Sequence, residues 1–186
     1  MSTQIQNKIL TKGQGAGGAN TNKHGLNYEE LTDLQDNIVI IEKLRFACKI
    51  YFKDNKDIVY FRTMQSQLFK FKTDCIDINV KKGHGCKKPD ECYINEKSKI
   101  IFIIEKKFQQ VGGSVCEKIQ TSEFKLWQYN RTFPNYKVVY IYCLSDWFKY
   151  NCQAELEYLK YKNVPVFWGN NLQYKTNIIN FINNYK

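Results

Sequence analysis

The sequence has no apolar run long enough to cross a membrane, and it does not start with the basic and apolar segments of a secretory signal. Internal repeats and long linkers are also absent, so we expect residues 1–186 to form one domain, with 1–12 as a loose N-terminal arm. These absences predict an intracellular protein, in the cytoplasm or nucleoid, without a membrane partner.

Acidic residues are scarce relative to basic ones, because 18 Asp and Glu stand against 28 Lys and Arg, and the formal charge is +10. An excess of positive charge favours a polyanionic partner, and nucleic acid fits a chain without a membrane segment. The alternative is compositional drift, since abundant Lys, Asn, Ile and Tyr are typical of A/T-rich codon usage. The charge leaves both interpretations open.

Two common binding sites are missing. The glycine-rich tract at 13–25 does not end in the Gly-Lys-Ser/Thr of a Walker loop, which argues against that phosphate cradle. His84, Cys86 and Cys92 would give only three zinc ligands at an unusual spacing. The seven cysteines are odd in number and scattered, so we expect reduced thiols.

The most informative stretch is a predicted β-hairpin. Residues 99–104 form an apolar, β-branched run that is typical of a strand buried on both faces, and residues 90–95 are its expected partner. A turn centred at 97–98 would place Asp90 opposite Glu105. Directly opposed residues have Cβ atoms about 5 Å apart, so both carboxylates can reach one divalent cation.

Lys107 adds an ammonium to this pair. It lies two residues beyond Glu105 and projects from the same face of the strand, whereas Lys106 points away. Carboxylate oxygens suit Mg²⁺ or Mn²⁺ better than zinc, and such a metal polarises a phosphate and activates water. An ammonium beside that water stabilises hydroxide or developing negative charge. The alternative is a surface hairpin that ends in charged residues.

This pattern resembles a known nuclease motif. Pro89-Asp90, fourteen intervening residues and then Glu105-Lys106-Lys107 resemble the PD-(D/E)xK signature of a nuclease superfamily. The resemblance implies that Asp90 and Glu105 bind Mg²⁺ and that Lys107 orients or activates water. It also implies an α/β fold with a restriction-endonuclease-like core, in which helices flank a mixed central β-sheet in the order αβββαβ.

Two neighbouring segments extend the resemblance. Residues 22–29 are similar to the first helix of some restriction endonucleases, which implies that Glu29 is an accessory metal ligand; alternatively, it is an acidic residue in the first turn of a helix. The helix expected after the hairpin is similar to the one that flanks the active site. That likeness implies catalytic support from Gln120 and a phosphate contact from Lys118, while a capping box explains Glu117.

Candidate DNA contacts lie in two loops and one helix. The glycine-rich tract carries side chains that can bond bases or phosphates, unless it is only a flexible leader. The basic loop at 81–88 leads directly into Asp90. The candidate DNA-binding residues are Gln14, Asn20, Asn22, Lys23, His24, Lys87, Lys88 and Lys118.

Periodicity and turn residues predict the remaining elements. These are helices at 26–35, 65–72, 152–161 and 174–185, and strands within 38–52 and at 57–61, 74–80, 136–144 and 164–168.

These observations together predict a Mg²⁺-dependent DNA endonuclease, with a sequence-specific type II restriction endonuclease as the leading candidate. A palindromic duplex site requires a two-fold partner, so we expect a homodimer that cuts double-stranded DNA. The same residues would also serve a repair, junction-resolving or nicking nuclease. Rivals from other classes are a non-catalytic DNA-binding module and a small zinc-stabilised interaction protein.

Overall fold

The computed structural model describes residues 19–71, 87–112 and 115–186. Gln14, the predicted strand at 74–80 and most of the basic loop therefore lie outside the described residues. Within them, no helix has the length and apolar character needed to cross a membrane. The described elements are α1 (Ala19–Leu31), β1 (Ile38–Lys43), β2 (Cys48–Phe52), β3 (Asn55–Thr63), β4 (Glu91–Asn95), β5 (Ile100–Lys107), α2 (Val115–Gln120), α3 (Ser122–Thr132), β6 (Lys137–Leu144), α4 (Trp147–Asn151), α5 (Gln153–Tyr161), β7 (Val166–Trp168) and α6 (Tyr174–Asn184).

The described strands form one seven-stranded sheet in the order β1-β2-β3-β4-β5-β6-β7. Strands β1 to β5 pair antiparallel with their neighbours, whereas β6 and β7 continue the sheet in parallel with β5. Parallel pairing requires a crossover, and helices α2–α3 and α4–α5 provide the two crossovers. The prediction of an α/β fold with a mixed sheet flanked by helices is confirmed.

Helices cover both faces of the sheet. On one face, Ile101 and Ile103 of β5 belong to a buried cluster that includes residues of α2, α3, α4 and α5. On the other face, Ile100, Phe102 and Ile104 belong to a cluster that includes residues of α1 and α6. The prediction that this strand is buried on both faces is confirmed, and its alternation decides which side chains reach which face.

The hairpin register agrees with the prediction. Glu91 pairs with Ile104 and Asn95 pairs with Ile100, around a four-residue turn with its centre at 97–98. Lys99 closes the turn with φ of 55°, in the left-handed region. Continuing this register by one residue sets Asp90 opposite Glu105. The two carboxylates therefore meet at the open end of the hairpin.

The helix predicted at 65–72 is only a 3-10 helix at Gln65–Gln67 in the described residues, and local side-chain bonds explain where two further helices differ from prediction. Helix α1 ends at Leu31, before the predicted residue 35, and the Asp33 carboxylate accepts the N–H of Gln35. The helix expected after β5 is split into α2 and α3, and the Thr121 hydroxyl at the break donates to the Lys118 carbonyl at 2.8 Å. Side chains of this kind compete with regular helix bonds.

The expectation of reduced cysteines is wrong for one pair. Cys116 and Cys152 form a disulfide, with Cα atoms 5.7 Å apart. They are 36 residues apart in sequence, and they meet because α2 packs against α5. Spacing alone could not show that contact. Among the other described cysteines, Cys48, Cys92 and Cys143 are free.

Candidate active site

A cleft of about 520 Å³ opens on the face of the sheet to which Glu105 projects. Helices α2 and α3 form one wall, and the segment before β4 forms another. Positive charge dominates the described lining, because it includes five lysines and two glutamates. The lining residues are Lys87, Lys88, Glu105, Lys107, Glu117, Lys118, Thr121 and Lys125.

Glu105 is the central acid of this cleft. Its Oε1 atom lies 2.6 Å from the Lys107 ammonium and 3.2 Å from the Lys125 ammonium. Burial opposes ionisation of Glu105, but the two lysines outweigh burial and hold its pKa below the ordinary value. Glu105 is therefore an ionised carboxylate at neutral pH, as a metal ligand must be.

Asp90 lies at the same end of the hairpin. Its Oδ2 atom accepts the backbone N–H of Lys106 at 2.7 Å. Burial, followed by the charge of Glu105, raises the pKa of Asp90 to about 6. A carboxylate that is held beside another in this way favours a cation between them, because the cation removes the repulsion.

Helix α1 brings Glu29 towards this pair. The charge of Glu29 is among those that raise the pKa of Asp90. Its main-chain carbonyl accepts the Lys106 ammonium at 3.0 Å, which joins α1 to the end of β5. The structure thus places Asp90 and Glu105 together, with Glu29 near enough for its charge to act on Asp90.

The oxygen atoms of the three carboxylates are not all within 4.8 Å of one another. Among the described residues, three potential ligand atoms lie within 4.8 Å of one another only at Cys116, Cys152 and Glu155, where both sulfurs belong to the disulfide. The hard oxygen donors of Asp90, Glu105 and Glu29 fit Mg²⁺ in their chemistry. Binding would require Glu105 to exchange part of its lysine contact for the cation.

Lys106 and Lys107 separate as strand alternation predicts. The Lys107 ammonium pairs with Glu105 and donates to the Lys106 carbonyl at 3.0 Å, on the cleft face. The Lys106 ammonium lies on the opposite face, 2.9 Å from Glu91. Of these two lysines, Lys107 lines the cleft and Lys106 does not.

Lys125 is a site residue that sequence analysis missed. It projects from α3 to the same oxygen of Glu105 as Lys107 and is largely buried. Burial lowers the pKa of Lys125, with partial compensation from Glu105. Its position in the inward row of Ser122 and Tyr129 was a usable signal, because a lysine in a buried helical stripe requires a partner.

Glu91 was also missed, and it lies behind the site. Its side chain is wholly inaccessible to solvent and contacts Lys106, Arg62 and the Tyr93 hydroxyl. Burial opposes its ionisation, but Lys106 and Arg62 outweigh burial and lower the pKa of Glu91. The signal was its strand alternation with Tyr93, which placed it on the face opposite Asp90.

The other predicted site residues have different outcomes. Lys87, Lys88 and Lys118 line the cleft, and the Tyr129 hydroxyl of α3 donates to the Lys87 carbonyl at 2.8 Å. His24 is exposed, with its ring centroid 6.2 Å from that of Phe108, which follows β5. The side chains of Asn20, Asn22 and Lys23, like the whole of Gln14, lie outside the described residues.

Gln120 requires a correction. The structure does not place it in the cleft, because its amide donates to the Glu155 carboxylate of α5 at 3.0 Å. Helix α2 ends at Gln120, and this last residue faces the neighbouring helix instead of β5. Its expected contribution to catalysis has no geometric support.

A larger groove, of about 790 Å³, lies at the opposite end of the hairpin around the 95–98 turn. Its walls include Tyr60, Phe102 and Ile182. None of the residues that line the smaller cleft also lines this groove. Size alone would favour this groove. The convergence of ionised groups favours the smaller cleft as the candidate active site.

No family model, curated protein or solved structure matches the chain. Any functional conclusion must therefore come from the residues of the cleft.

Proposed function

We propose that this chain is a Mg²⁺-dependent nuclease of the PD-(D/E)xK type, which hydrolyses phosphodiester bonds in DNA. One observation carries the proposal: Asp90 and Glu105 lie side by side at the end of a buried hairpin, and Lys107 contacts Glu105. Glu105 and Lys107 line a cleft whose lysines suit a polyanionic backbone.

Asp90 and Glu105, with Glu29 beside them, would hold the metal, which when bound supplies Lewis-acid polarisation and a more acidic water. The protein's own groups position and stabilise the reacting phosphate. Water attacks phosphorus in line with the 3′ oxygen, and Lys107 and Lys125 stabilise the negative charge that develops on the phosphoryl oxygens. The P–O3′ bond breaks as the new P–O bond forms; the attacking water gives up a proton to solvent, and the 3′ oxygen takes a proton from solvent.

The arrangement of elements supports the finer proposal of a restriction-endonuclease-like core. Among the described residues, helix α1 is followed by five antiparallel strands, of which the last three, β3, β4 and β5, lead through helices α2 and α3 to the parallel strand β6. This series contains the αβββαβ order that the resemblance implies, with β1 and β2 as additional strands between α1 and β3 and with the helical part divided into α2 and α3. The candidate site lies on the second and third strands of that order.

We further propose double-stranded DNA as substrate and a homodimer as the active form, with type II restriction as the leading role. The formal charge of +10 supports a polyanionic partner. Cutting both strands of a palindromic site requires two copies of this cleft. A repair, junction-resolving or nicking enzyme would use the same residues on a different DNA structure.

Digestion of plasmid and phage DNA with Mg²⁺ or Mn²⁺ tests the proposal, with EDTA and a Glu105→Ala variant as negative controls. A Glu157→Ala variant is the matched control, because this exposed carboxylate lies on α5 and outside the cleft lining. Discrete fragments that require both the metal and Glu105 would support a sequence-specific endonuclease. A smear or nicked circles with the same requirements would favour the repair or nicking role.

One observation favours a second candidate, a non-catalytic DNA-binding module. Glu105 is already paired with two ammonium groups, as in a site that has exchanged its metal for lysines. A mobility-shift titration on duplex, branched and single-stranded DNA separates the candidates. Tight binding without cleavage in Mg²⁺ or Mn²⁺ would replace the nuclease proposal with this one.

A further inference from the structure

A closed ionic network lies on the opposite face of the hairpin, behind the cleft. Arg62 of β3 contacts Asp33 at 2.8 Å and Glu91 of β4 at 3.0 Å. Glu91 in turn contacts Lys106 of β5 at 2.9 Å. The four side chains carry two positive and two negative charges, so the network is balanced.

The network is costly if its role is only structural. Glu91 and Lys106 are buried, and desolvation of two charges consumes much of the attraction between them. Apolar side chains of similar volume would fill the same space at no such cost. A buried network is therefore weak evidence of a contribution to stability, and its connections to other groups are more informative.

Lys106 connects this network to the candidate metal ligands at two points. Its ammonium donates to the Glu29 carbonyl at 3.0 Å, and its backbone N–H donates to Asp90 Oδ2 at 2.7 Å. The Glu29 carbonyl lies in the last turn of α1, where helix carbonyls lack backbone partners within the helix, and it also accepts the Thr32 hydroxyl at 3.4 Å. A cation is the donor that such a turn favours.

The far end of the network holds the chain just beyond α1. Arg62 donates to both carboxylate oxygens of Asp33 and to the Gln35 side chain at 2.9 Å. Helix α1 is thus fixed to β3 through Arg62 and to β5 through Lys106. Its end cannot shift without breaking the Arg62–Asp33 ion pair or the Lys106–Glu29 hydrogen bond.

We propose that Lys106 is a positioning residue for the metal site: from the closed face of the sheet, it fixes the end of α1 and the end of β5 so that Glu29 and Asp90 face the same cation. This inference rests on the proposed function. Lys106 does not touch the substrate or the metal, and it acts through the main chain of Glu29 and the backbone bond to Asp90. Lys106, which lies between Glu105 and Lys107 of the motif, thus has a role of its own in the site.

The main test uses the full chain and a Lys106→Met/Glu91→Gln double variant, which removes both charges and retains side-chain volume. Glu91→Gln keeps an acceptor for Arg62, so no buried charge is left alone. A Tyr60→Phe variant is the matched control, because it removes the hydroxyl that donates to the Ile182 carbonyl and to Asn183 of α6, on the same face of the sheet. Melting temperature, hydrogen exchange without metal and Mn²⁺ binding by calorimetry are measured for each protein.

We expect the double variant to melt within about 4 °C of the wild type, which corresponds to a change of roughly 1 kcal/mol in a chain of this size. Amide protection should fall in the last turn of α1, and Mn²⁺ should bind about 10-fold to 100-fold more weakly, as for other groups that orient metal ligands. The Tyr60→Phe control should change neither. A double variant with wild-type protection and wild-type Mn²⁺ affinity would overturn the inference.

A milder variant covers the case in which the double variant does not fold. Asp33→Asn removes only the partly exposed end of the network, and we expect about a threefold loss of Mn²⁺ affinity. An unchanged Mn²⁺ affinity of this variant would then contradict a role of the network in positioning the metal ligands. If the wild type binds no Mn²⁺ and cleaves no DNA, the proposed function itself fails, whereas wild-type binding without a variant effect refutes only the role of Lys106.

Discussion

The β4–β5 hairpin carries the same chemistry on both faces, with opposite consequences. On the closed face, Glu91 is paired with Lys106 and Arg62, and on the cleft face Glu105 is paired with Lys107 and Lys125. Basic neighbours lower the pKa of both carboxyl groups. Only Glu105 adjoins an open cleft, so only Glu105 can exchange an ammonium for another cation. A carboxylate that solvent and a metal ion can reach is a candidate metal ligand. A carboxylate that they cannot reach, such as Glu91, is part of a structural ion pair.

Replacing Glu91 with alanine should produce the largest effect on the fold. The substitution would leave Lys106 and Arg62 buried without their shared partner, which typically costs about 3–5 kcal/mol of unfolding free energy. Urea unfolding followed by circular dichroism measures the loss. The conservative Glu91→Gln variant should lose clearly less, and equal losses for both would show that charge balance is not the cause.

Replacing Glu105 with glutamine should affect activity far more than stability. We expect cleavage to fall about 10³-fold, because loss of a metal ligand removes several kcal/mol of transition-state stabilisation. The urea midpoint should change less than that of Glu91→Ala, since Lys107 keeps its bond to the Lys106 carbonyl. A Glu105→Gln protein that cleaves DNA at the wild-type rate would remove this residue from the site.

Replacing Lys125 with methionine tests whether the second lysine of the cleft contributes to the chemistry. We expect the rate at saturating Mg²⁺ to fall about 10²-fold, the scale for loss of one group that stabilises developing charge. The matched control is Lys149→Met, because Lys149 lies on α4 and pairs with Asp146 outside the cleft. An unchanged rate would leave Lys107 as the only lysine of the pair that acts on the phosphate.

The pH dependence of metal binding should report Asp90. Its pKa of about 6 lies above its ordinary value, so the folded protein holds this proton more tightly than the unfolded chain. Mn²⁺ affinity should therefore fall about tenfold for each pH unit below that pKa. Calorimetry from about pH 7 to about pH 5 measures this, and an Asp90→Asn variant should show weak, pH-independent binding. A flat wild-type profile would contradict the assignment.

Acid should change the stability contribution of Asp90 in the opposite direction to those of Glu91 and Glu105. Ionised Asp90 costs stability in the metal-free protein, and this cost decreases as the pH falls from about 6 and disappears below the ordinary pKa of aspartate. Glu91 and Glu105 have lowered pKa values, so their stabilising contributions are present above their ordinary values and are lost as the pH falls further. Comparing Asp90→Asn with the wild type isolates the first contribution.

The sequence was sufficient to predict the hairpin because its determinants are local. The apolar run and the turn centre determine which residues oppose each other, and the pairing of Asp90 with Glu105 follows. Alternation also separated Lys106 from Lys107 correctly. Once the register of a strand is known, each side chain can lie on only one of two faces. Few alternative arrangements of the hairpin side chains therefore remained.

The sequence did not predict the contacts that depend on how the helices pack against the sheet and against each other. Lys125 reaches Glu105 only because α3 packs against the sheet, and Gln120 faces α5 because α2 ends there. The Cys116–Cys152 disulfide depends on the same packing of α2 on α5. Helix periodicity gives the buried side of one helix, but it does not say which neighbour that side meets.

The bond between Lys106 and the Glu29 carbonyl joins residues 77 positions apart in the chain. A hairpin forms in about 1–10 μs, whereas contacts across long stretches of chain must first pay for loop closure. The pair Asp90 and Glu105 can therefore form early in folding, while α1 docks late. A nascent chain would carry both acids before α1 arrives, so that the proposed metal site would be completed only when folding is nearly finished.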